Sequence, residues 1–257
     1  GGYRAPQAFD EDMHIAIVGG KRVRIRLADD LREERSHSVS LSADLYHTFG
    51  KVQTNLLVEG FYTILDDVFA LRDMDDAADG GKVKERYNGS GATVRGFNVE
   101  GRAAFTRWFE LQAGVTLQQS RYKEPEFWSE DAEVPPVRRM FRTPDAYGYF
   151  TASFKPVRNF TADLSGTCTG SMLVQHMAGS GVAQDVAVST PSFFDMNIRL
   201  SYDVRIYKEI TMQLYGGVQN LFNAYQKDFD KGVDRDSGYI YGPSLPRSWF
   251  VGAKFSF

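Results

Sequence analysis

The closing stretch, Ser248 to Phe257, constrains the fold more than any other part of the chain. Trp249, Val251, Ala253, Phe255 and Phe257 fall on one face, and Ser248, Gly252, Lys254 and Ser256 fall on the other with Phe250. This period-two alternation belongs to a strand with one apolar and one polar face. The pattern runs into an aromatic last residue without a turn, cap or polar tail. A sandwich in water rarely leaves such an edge bare.

The same pattern recurs upstream as four hairpins. From Ser36 onward, Val39, Leu41, Ala43 and Leu45 alternate with Ser38, Ser40, Ser42 and Asp44, and a turn at Gly50 leads into Leu56, Val58, Tyr62 and Ile64. Phe97, Val99, Ala103 and Phe105 pair with Phe109, Leu111, Ala113, Val115 and Leu117 around Trp108. Phe150, Ala152 and Phe154 meet Phe160, Ala162, Leu164 and Cys168 across a turn near Val157. Phe194 to Ile206 return through Ile210, Met212, Leu214 and Val218 after Lys208. Each apolar face is backed by a polar or charged one, which is the build of a hairpin with one dry side.

The connections choose between architectures. Short turns near Gly50, Trp108, Val157 and Lys208 alternate with long polar loops at 67–86, 121–146, 177–192 and 223–247. Outer-membrane barrels have short turns on one rim and long loops on the other, and their interfaces carry aromatic girdles. Phe49, Trp108, Phe109, Phe154, Phe160 and Tyr207 flank the short turns as such a girdle would. A soluble sandwich explains the alternation but not this asymmetry. The expected fold is therefore an all-β, antiparallel transmembrane β-barrel of the bacterial outer membrane, in contact with outer-membrane lipid.

Composition is consistent with this reading. The net charge of −3 gives no basic excess for nucleic acid, and the single cysteine, Cys168, excludes an internal disulfide. Cys168 falls on an apolar face and reads as a small filler. No apolar run is long enough for a transmembrane helix. Residues 1–35 read as an irregular, acid-rich loop region on the outer side, with Arg22 to Leu27 alternating as a short extra strand. Residues 36–257 carry the barrel strands. Nine strands, the first running downward from an outer loop, conflict with the even strand number of single-chain bacterial barrels, so the sequence is expected to be the downstream part of something larger. A start at Gly1 without a basic or apolar leader fits a mature, processed or partial chain.

Several segments, in order, resemble TonB-dependent outer-membrane receptors. They are Gly2-Tyr3-Arg4-Ala5-Pro6, Ala28 to Ser36 (similar to an Asn-Pro-Asp-Leu-Lys-Pro-Glu-x-Ser stretch, departing from it at Ala28 and Glu33), Tyr87-Asn88-Gly89 and Gly96 to Glu100. Further on come Asn220-Leu221-Phe222-Asn223, then Gly242-Pro243 with Pro246-Arg247, and Phe257 at the end. The resemblance implies about the last nine strands of a barrel of about 22 strands with a plugged lumen. The plug domain is absent from this sequence. The implied partners are an amino-terminal plug and upstream strands of the same receptor, the TonB complex acting through that plug, and the barrel-assembly machinery, which reads Trp249, Phe255 and Phe257. The implied function is import of a scarce ligand of the ferric siderophore, haem or corrinoid class. A small self-contained barrel acting as a passive pore or structural protein is the alternative, and a tenth strand at Arg22 to Leu27 would support it.

Candidate sites follow from residue chemistry. Glu59, Glu100, Arg102, Asp163, Arg199, Asp203 and Arg205 lie on polar strand faces, where charge is tolerated, and are expected to face plug or lumen. His176, Tyr122 and Tyr147 are candidate ligand contacts near loop mouths, with a solvated loop histidine as the plainer reading of His176. Asp73, Asp75, Asp76 and Asp79 before Gly80, and Asp228, Asp230, Asp234 and Asp236 around Gly232, are carboxylate clusters that can wrap calcium, although neither follows EF-hand spacing and solvated acidic loops explain them too. The histidines lack metal-ligand spacing. No nucleophile elbow, catalytic constellation or cofactor motif is found, so no enzyme activity and no cofactor are expected.

Overall fold

The computed structural model describes residues 1–6, 23–74, 82–129, 131–207, 210–243 and 245–256. Among these described residues the strands follow in order: β1 (Gly2–Arg4), β2 (Val23–Leu27), β3 (Glu34–Phe49), β4 (Val52–Asp66), β5 (Phe69–Met74), β6 (Lys82–Asn88), β7 (Ala92–Thr106), β8 (Phe109–Glu126), β9 (Val137–Arg139), β10 (Ala146–Val157), β11 (Phe160–Thr169), β12 (Leu173–His176), β13 (Val186–Ser189), β14 (Phe193–Tyr207), β15 (Ile210–Gln219) and β16 (Ser248–Ser256). The main sheet runs β1-β3-β4-β7-β8-β10-β11-β14-β15-β16, with β9 attached to β8. Every pair along this path is antiparallel. All nine strands expected from the alternation are present. No helix is long and apolar enough to cross a membrane among the described residues, which has no bearing on crossing by strands.

Register separates the two faces, because directly opposed residues point the same way. One row across the sheet reads Ala43, Val58, Val99, Val115, Gly148, Cys168 and Phe194. The adjacent row reads Ser42, Glu59, Asn98, Thr116, Tyr147 and Thr169. Among the described residues no second layer covers the apolar face: Val251 is 90% exposed, Leu41 82% and Trp249 76%. A contiguous apolar surface of this kind needs lipid rather than water against it. At the turn end, Trp108 meets Phe154 edge-on at 5.4 Å and lies 6.0 Å from Phe109, which builds the expected girdle. Three register shifts also sit at this end, at Ala104/Thr106, Phe154/Val157 and Arg205/Tyr207, where bulges add twist to a barrel rim.

Large rings cover the glycines that would otherwise leave holes in the wall. Tyr149 lies over Gly114, so that a Cβ built there would come within 2.7 Å of the ring, and Phe250 covers Gly217 in the same way. This explains the placement of Phe250, which breaks the pattern of its strand by sitting on the polar face.

Two details differ from the sequence reading. Residues Gly2–Arg4 are a strand rather than loop, paired with β3 at Glu34–Ser36. The short strand expected near Arg22 forms at Val23–Leu27, but it pairs in parallel with β6, in a separate three-stranded sheet with β5, and adds nothing to the main path. It therefore gives no support to a small closed barrel.

The hydrophobic cluster sits at the loop end of the sheet. Val174, Phe193, Tyr239 and Tyr241 form the apolar cluster, with Met172, Val188 and Ala224 packed against it. Its members come from the β12–β13 hairpin, the start of β14 and the segment between β15 and β16. Apolar residues dispersed in polar loops carry no periodicity, and this cluster is not readable from alternation.

Candidate functional site

The polar face is a hydrogen-bonded ladder. Asn98 Nδ2 donates to Glu59 (2.8 Å) and its Oδ1 accepts from Thr116 (2.8 Å). Gln112 donates to Glu100 (2.7 Å) and to the Tyr149 hydroxyl (3.1 Å). Arg102 Nε reaches Glu110 (2.7 Å), and Ser153 donates to Asp163 (2.8 Å). Arg199 donates to Gln213 (3.1 Å), lies 4.6 Å from the Tyr215 ring centroid, and Gln213 in turn donates to Asp203 (2.8 Å). Arg205 lies on the same face, opposite Thr211. All seven charged residues expected on this face are on it. Paired across strands, they hold a polar wall in fixed geometry.

At the loop end, the last two long connections are locked together. His176 closes β12, and its Nε2 faces both Asp230 oxygens at 3.0 and 3.1 Å. The ring stacks on Tyr239, with centroids 3.6 Å apart and planes 6° from parallel. The side chains of His176 and Asp230 are 8% and 3% exposed, so the pair is buried rather than solvated as the plainer reading had it. Asp230 also accepts from the Asp236 amide (3.0 Å), and Asp236 accepts from the amides of Met177 and Gly238 (2.8 Å each).

A second carboxylate anchors the tyrosines. The Tyr241 hydroxyl donates to Asp228 at 2.7 Å and the Tyr239 hydroxyl at 2.9 Å. Burial disfavours the charge on Asp228, but hydrogen bonds from Tyr241, Tyr239, its own backbone and Gln226 outweigh it and hold the carboxyl below its ordinary value. Burial, followed by the bond to Asp228, raises both tyrosines, Tyr241 most. Gln226 is 1% exposed and clips the same segment by donating to the Tyr239 carbonyl (3.0 Å) and accepting from the Tyr241 amide (2.7 Å). Tyr239, Tyr241 and Gln226 were missed at the sequence level, whereas Asp236 was read only as one of the acids around Gly232. The available signal was a pair of tyrosines two apart inside an acidic loop.

The other candidates are dispersed. Tyr122 and Tyr147 are both on the polar face, opposite Ala92 and Thr116 respectively. Six residues of β8 separate Tyr122 from Thr116, about 20 Å at strand rise, so the two tyrosines do not meet. Glu126, further along β8, has its carboxyl raised by burial. Asp228 and Asp230 are taken up in the brace, and Asp234 contributes its carbonyl to the Ser180 amide (3.0 Å). Among the described residues no group of three or more His, Cys, Asp or Glu is placed to hold a metal ion. Asp75, Asp76 and Asp79 lie outside the described residues, and Asp73 is described only in its backbone pairing with Lys84. Trp249 and Phe255 stand on the apolar face opposite Val218 and Met212, and Phe257 lies outside the described residues.

Two of the recognisable sequence segments prove to be loop fasteners. Asn220 and Asn223 both adopt left-handed φ values, of 49° and 56°. The Asn220 amide donates to the carbonyls of Leu245 (2.8 Å) and Ala224 (3.1 Å), its oxygen accepts from the Ala224 amide (2.8 Å), and Asn223 accepts from the Arg247 amide (2.9 Å). The Asn-Leu-Phe-Asn turn thus pins the approach to β16. Asn88 does the same for the amino-terminal region, bonding the Arg32 amide (2.7 Å) and carbonyl (2.9 Å) and the Asp67 carbonyl (2.8 Å).

An antiparallel meander with one apolar and one polar face, tight turns on one rim and braced loops on the other is the wall of a transmembrane β-barrel. The chain matches the family described as "TonB dependent receptor-like, beta-barrel" over residues 1–221, and it belongs to that family. Similar solved structures include the ferric-catecholate import receptor Fiu from E. coli K12, with 16% identity and a TM-score of 0.61, covering 97% of this chain and 30% of that one. The FrpB iron transporter from Neisseria meningitidis is similar at 15% identity and a TM-score of 0.56, with 91% and 33% covered. The copper transporter OprC is similar at 14% identity and a TM-score of 0.56, with 89% and 32% covered. The chain spans about a third of the length of these proteins, and at such identities the likeness is one of fold. A search of curated proteins found no match.

Proposed function

We propose that the chain forms the carboxyl-terminal barrel wall of a receptor that imports a scarce ligand, of the ferric siderophore, haem or corrinoid class, across the bacterial outer membrane. The family and its structural neighbours are transport receptors rather than enzymes, and the neighbours named for a cargo carry iron, ferric catecholate or copper. In this reading residues 1–35 and the long loops face outward, and residues 36–257 supply strands of a larger barrel. Glu59, Glu100, Arg102, Asp163, Arg199, Asp203 and Arg205 face an amino-terminal plug or the water around it. TonB acts through that plug, while Trp249, Phe255 and Phe257 present the assembly signal. Tyr122 and Tyr147 offer ring and hydroxyl to cargo along the wall. His176 serves capture through the loop brace, since ordering loops in advance lowers the entropic cost of binding.

The observation that carries the proposal is the continuous polar row from Ser42 to Thr169, backed by a continuous apolar row. The test is uptake by whole cells of ⁵⁵Fe-charged catecholate and hydroxamate siderophores, haemin and cyanocobalamin, with and without the gene and with and without a protonophore. Gene-dependent uptake of one cargo that the protonophore abolishes is the expected result. Uptake that persists without proton motive force, or general permeation of small solutes, would establish a passive pore instead.

A further inference from the structure

We infer that the outward apolar face carries a site for a lipid with a phosphomonoester headgroup, its phosphate held by Arg95 and Arg121 and an acyl chain lying in the groove below them. The inference rests on the barrel reading above, which makes this face the lipid-facing one. The groove measures about 580 Å³ and is lined on this face by Val39, Leu41, Gly60, Tyr62, Phe97 and Leu117. These residues lie on four adjacent strands, and Gly60 stands between Leu41 and Phe97, with the Phe97 ring 3.4 Å from where a Gly60 Cβ would be. An open apolar groove that crosses four strands suits a methylene chain better than a compact polar solute.

Arg95 lines the loop-side end of this groove, and Arg121 stands beyond it on the same face, directly opposite Arg139 on β9. Arg95 is opposite Tyr62 and Gln119, and Arg121 is opposite Thr93, so both share the apolar face. They are diagonal neighbours across β7 and β8, a relation that places Cβ atoms about 7–8 Å apart, within joint reach of one phosphate. Charge on the lipid face is costly unless it is near the interface and matched. Other cations here are matched internally: Lys123 by Asp66, Arg139 by Asp145 at 3.2 Å, and Arg35 by Glu33 at 2.5 Å. Asp145, the acid bordering the groove, is thereby committed to Arg139.

Arg95 and Arg121 differ from these. Arg95 donates through Nε (3.2 Å) and Nη2 (2.8 Å) to the neutral amide oxygen of Gln119, and Arg121 donates to the Ser120 carbonyl at 3.3 Å. Among the described residues neither is within ion-pair distance of a carboxylate. Gln119 fixes the orientation of the Arg95 fork without spending its charge. Two planar guanidinium groups favour an anion that can accept several donors at once. A phosphomonoester, with about −1.5 to −2 charge and three acceptor oxygens, matches two cations better than a phosphodiester of single charge.

The test reconstitutes the intact receptor that carries this chain into nanodiscs containing equal amounts of diphosphoryl lipid A and its dephosphorylated counterpart. Lipid that remains bound after delipidation is counted by native mass spectrometry. The wild type is expected to retain the phosphorylated lipid preferentially, R95Q/R121Q to lose that preference by about tenfold, the ratio corresponding to ~1.4 kcal/mol, and K123Q to keep it. G60L, whose side chain must enter the groove beside the Phe97 ring, is expected to reduce retention with the arginines intact. Equal retention of the two lipids by the wild type, or displacement of lipid A by millimolar inorganic phosphate, would overturn the inference. A receptor that does not enter nanodiscs at all refutes the barrel reading itself, an outcome distinct from one that enters and shows no preference.

Discussion

Replacing Asn220 by Ala should unfasten the last long loop from the final strand. Asn220 is 3% exposed and makes three side-chain hydrogen bonds, to the Leu245 carbonyl and to the carbonyl and amide of Ala224. At a net contribution of ~1 kcal/mol each, their loss costs about 3 kcal/mol. The backbone φ of 49° suits Asn but adds ~1 kcal/mol of strain for Ala. The sum, about 4 kcal/mol, is an upper bound, because the freed groups partly regain water once the loop lifts. Half of it corresponds to about a 30-fold rise in local opening. Hydrogen exchange of the intact receptor reads this directly, since local opening sets amide protection. Peptides covering 221–247 should exchange about 30-fold faster or more in Asn220→Ala, while peptides from β10 and β11 stay unchanged. Asn220→Gly removes the strain but not the bond loss, and should fall short of the Ala effect by about fivefold. Unchanged protection at 221–247 in Asn220→Ala would show that the loop is held by its apolar cluster and that the asparagine turn is incidental.

The two faces should respond oppositely to charge: Val115→Arg is expected to cost ~2–4 kcal/mol and Thr116→Arg close to nothing, measured as the yield of heat-modifiable receptor on unheated gels. Gly114→Ala drives a methyl into the Tyr149 ring, and the loss in yield should be recovered in Gly114→Ala/Tyr149→Ala. At Gly217 the added methyl also meets the Ile198 carbonyl, so Gly217→Ala should not be rescued by Phe250→Ala. The Asp228 carboxyl is held below its ordinary value, so the brace is at full strength above the unfolded value near ~3.9 and weakens as pH falls through the lower folded one. Near-ultraviolet circular dichroism of Tyr239 and Tyr241, which meet edge-on, should track this loss on acidification, and Asp228→Asn should start weaker and lack the acid step.

The wall was legible in the residues because a strand's two faces are written into alternate positions. Val39, Leu41 and Ala43 against Ser38, Ser40 and Ser42 sufficed to give the first hairpin, and the position of Glu59 or Arg199 fixed the face it occupies before any pairing was known. The charged ladder followed from the same periodicity. What alternation leaves open is which strand lies beside which, and hence that Asn98 would stand between Glu59 and Thr116. It also reads an isolated glycine as a gap, although Gly114 and Gly217 are covered by rings from neighbouring strands.

The loop end was decided by tertiary structure. Val23–Leu27 has the pattern of a strand, but its parallel partner β6 is more than fifty residues away, and no local signal names that partner. His176 and Asp230 are separated by 54 positions, and their burial depends on Tyr239 closing over them. The acids near Gly232 share their composition with calcium loops and with solvated ones. Only the positions of two tyrosine hydroxyls and one imidazole assign Asp228 and Asp230 to a brace. The sequence determined by itself the strands, their faces and the lipid-ready surface, because those depend on a two-residue period that each segment carries alone. The brace, the fastened asparagine turn and the unmatched pair of arginines depend on contacts between distant segments, which exist only once the strands are in register.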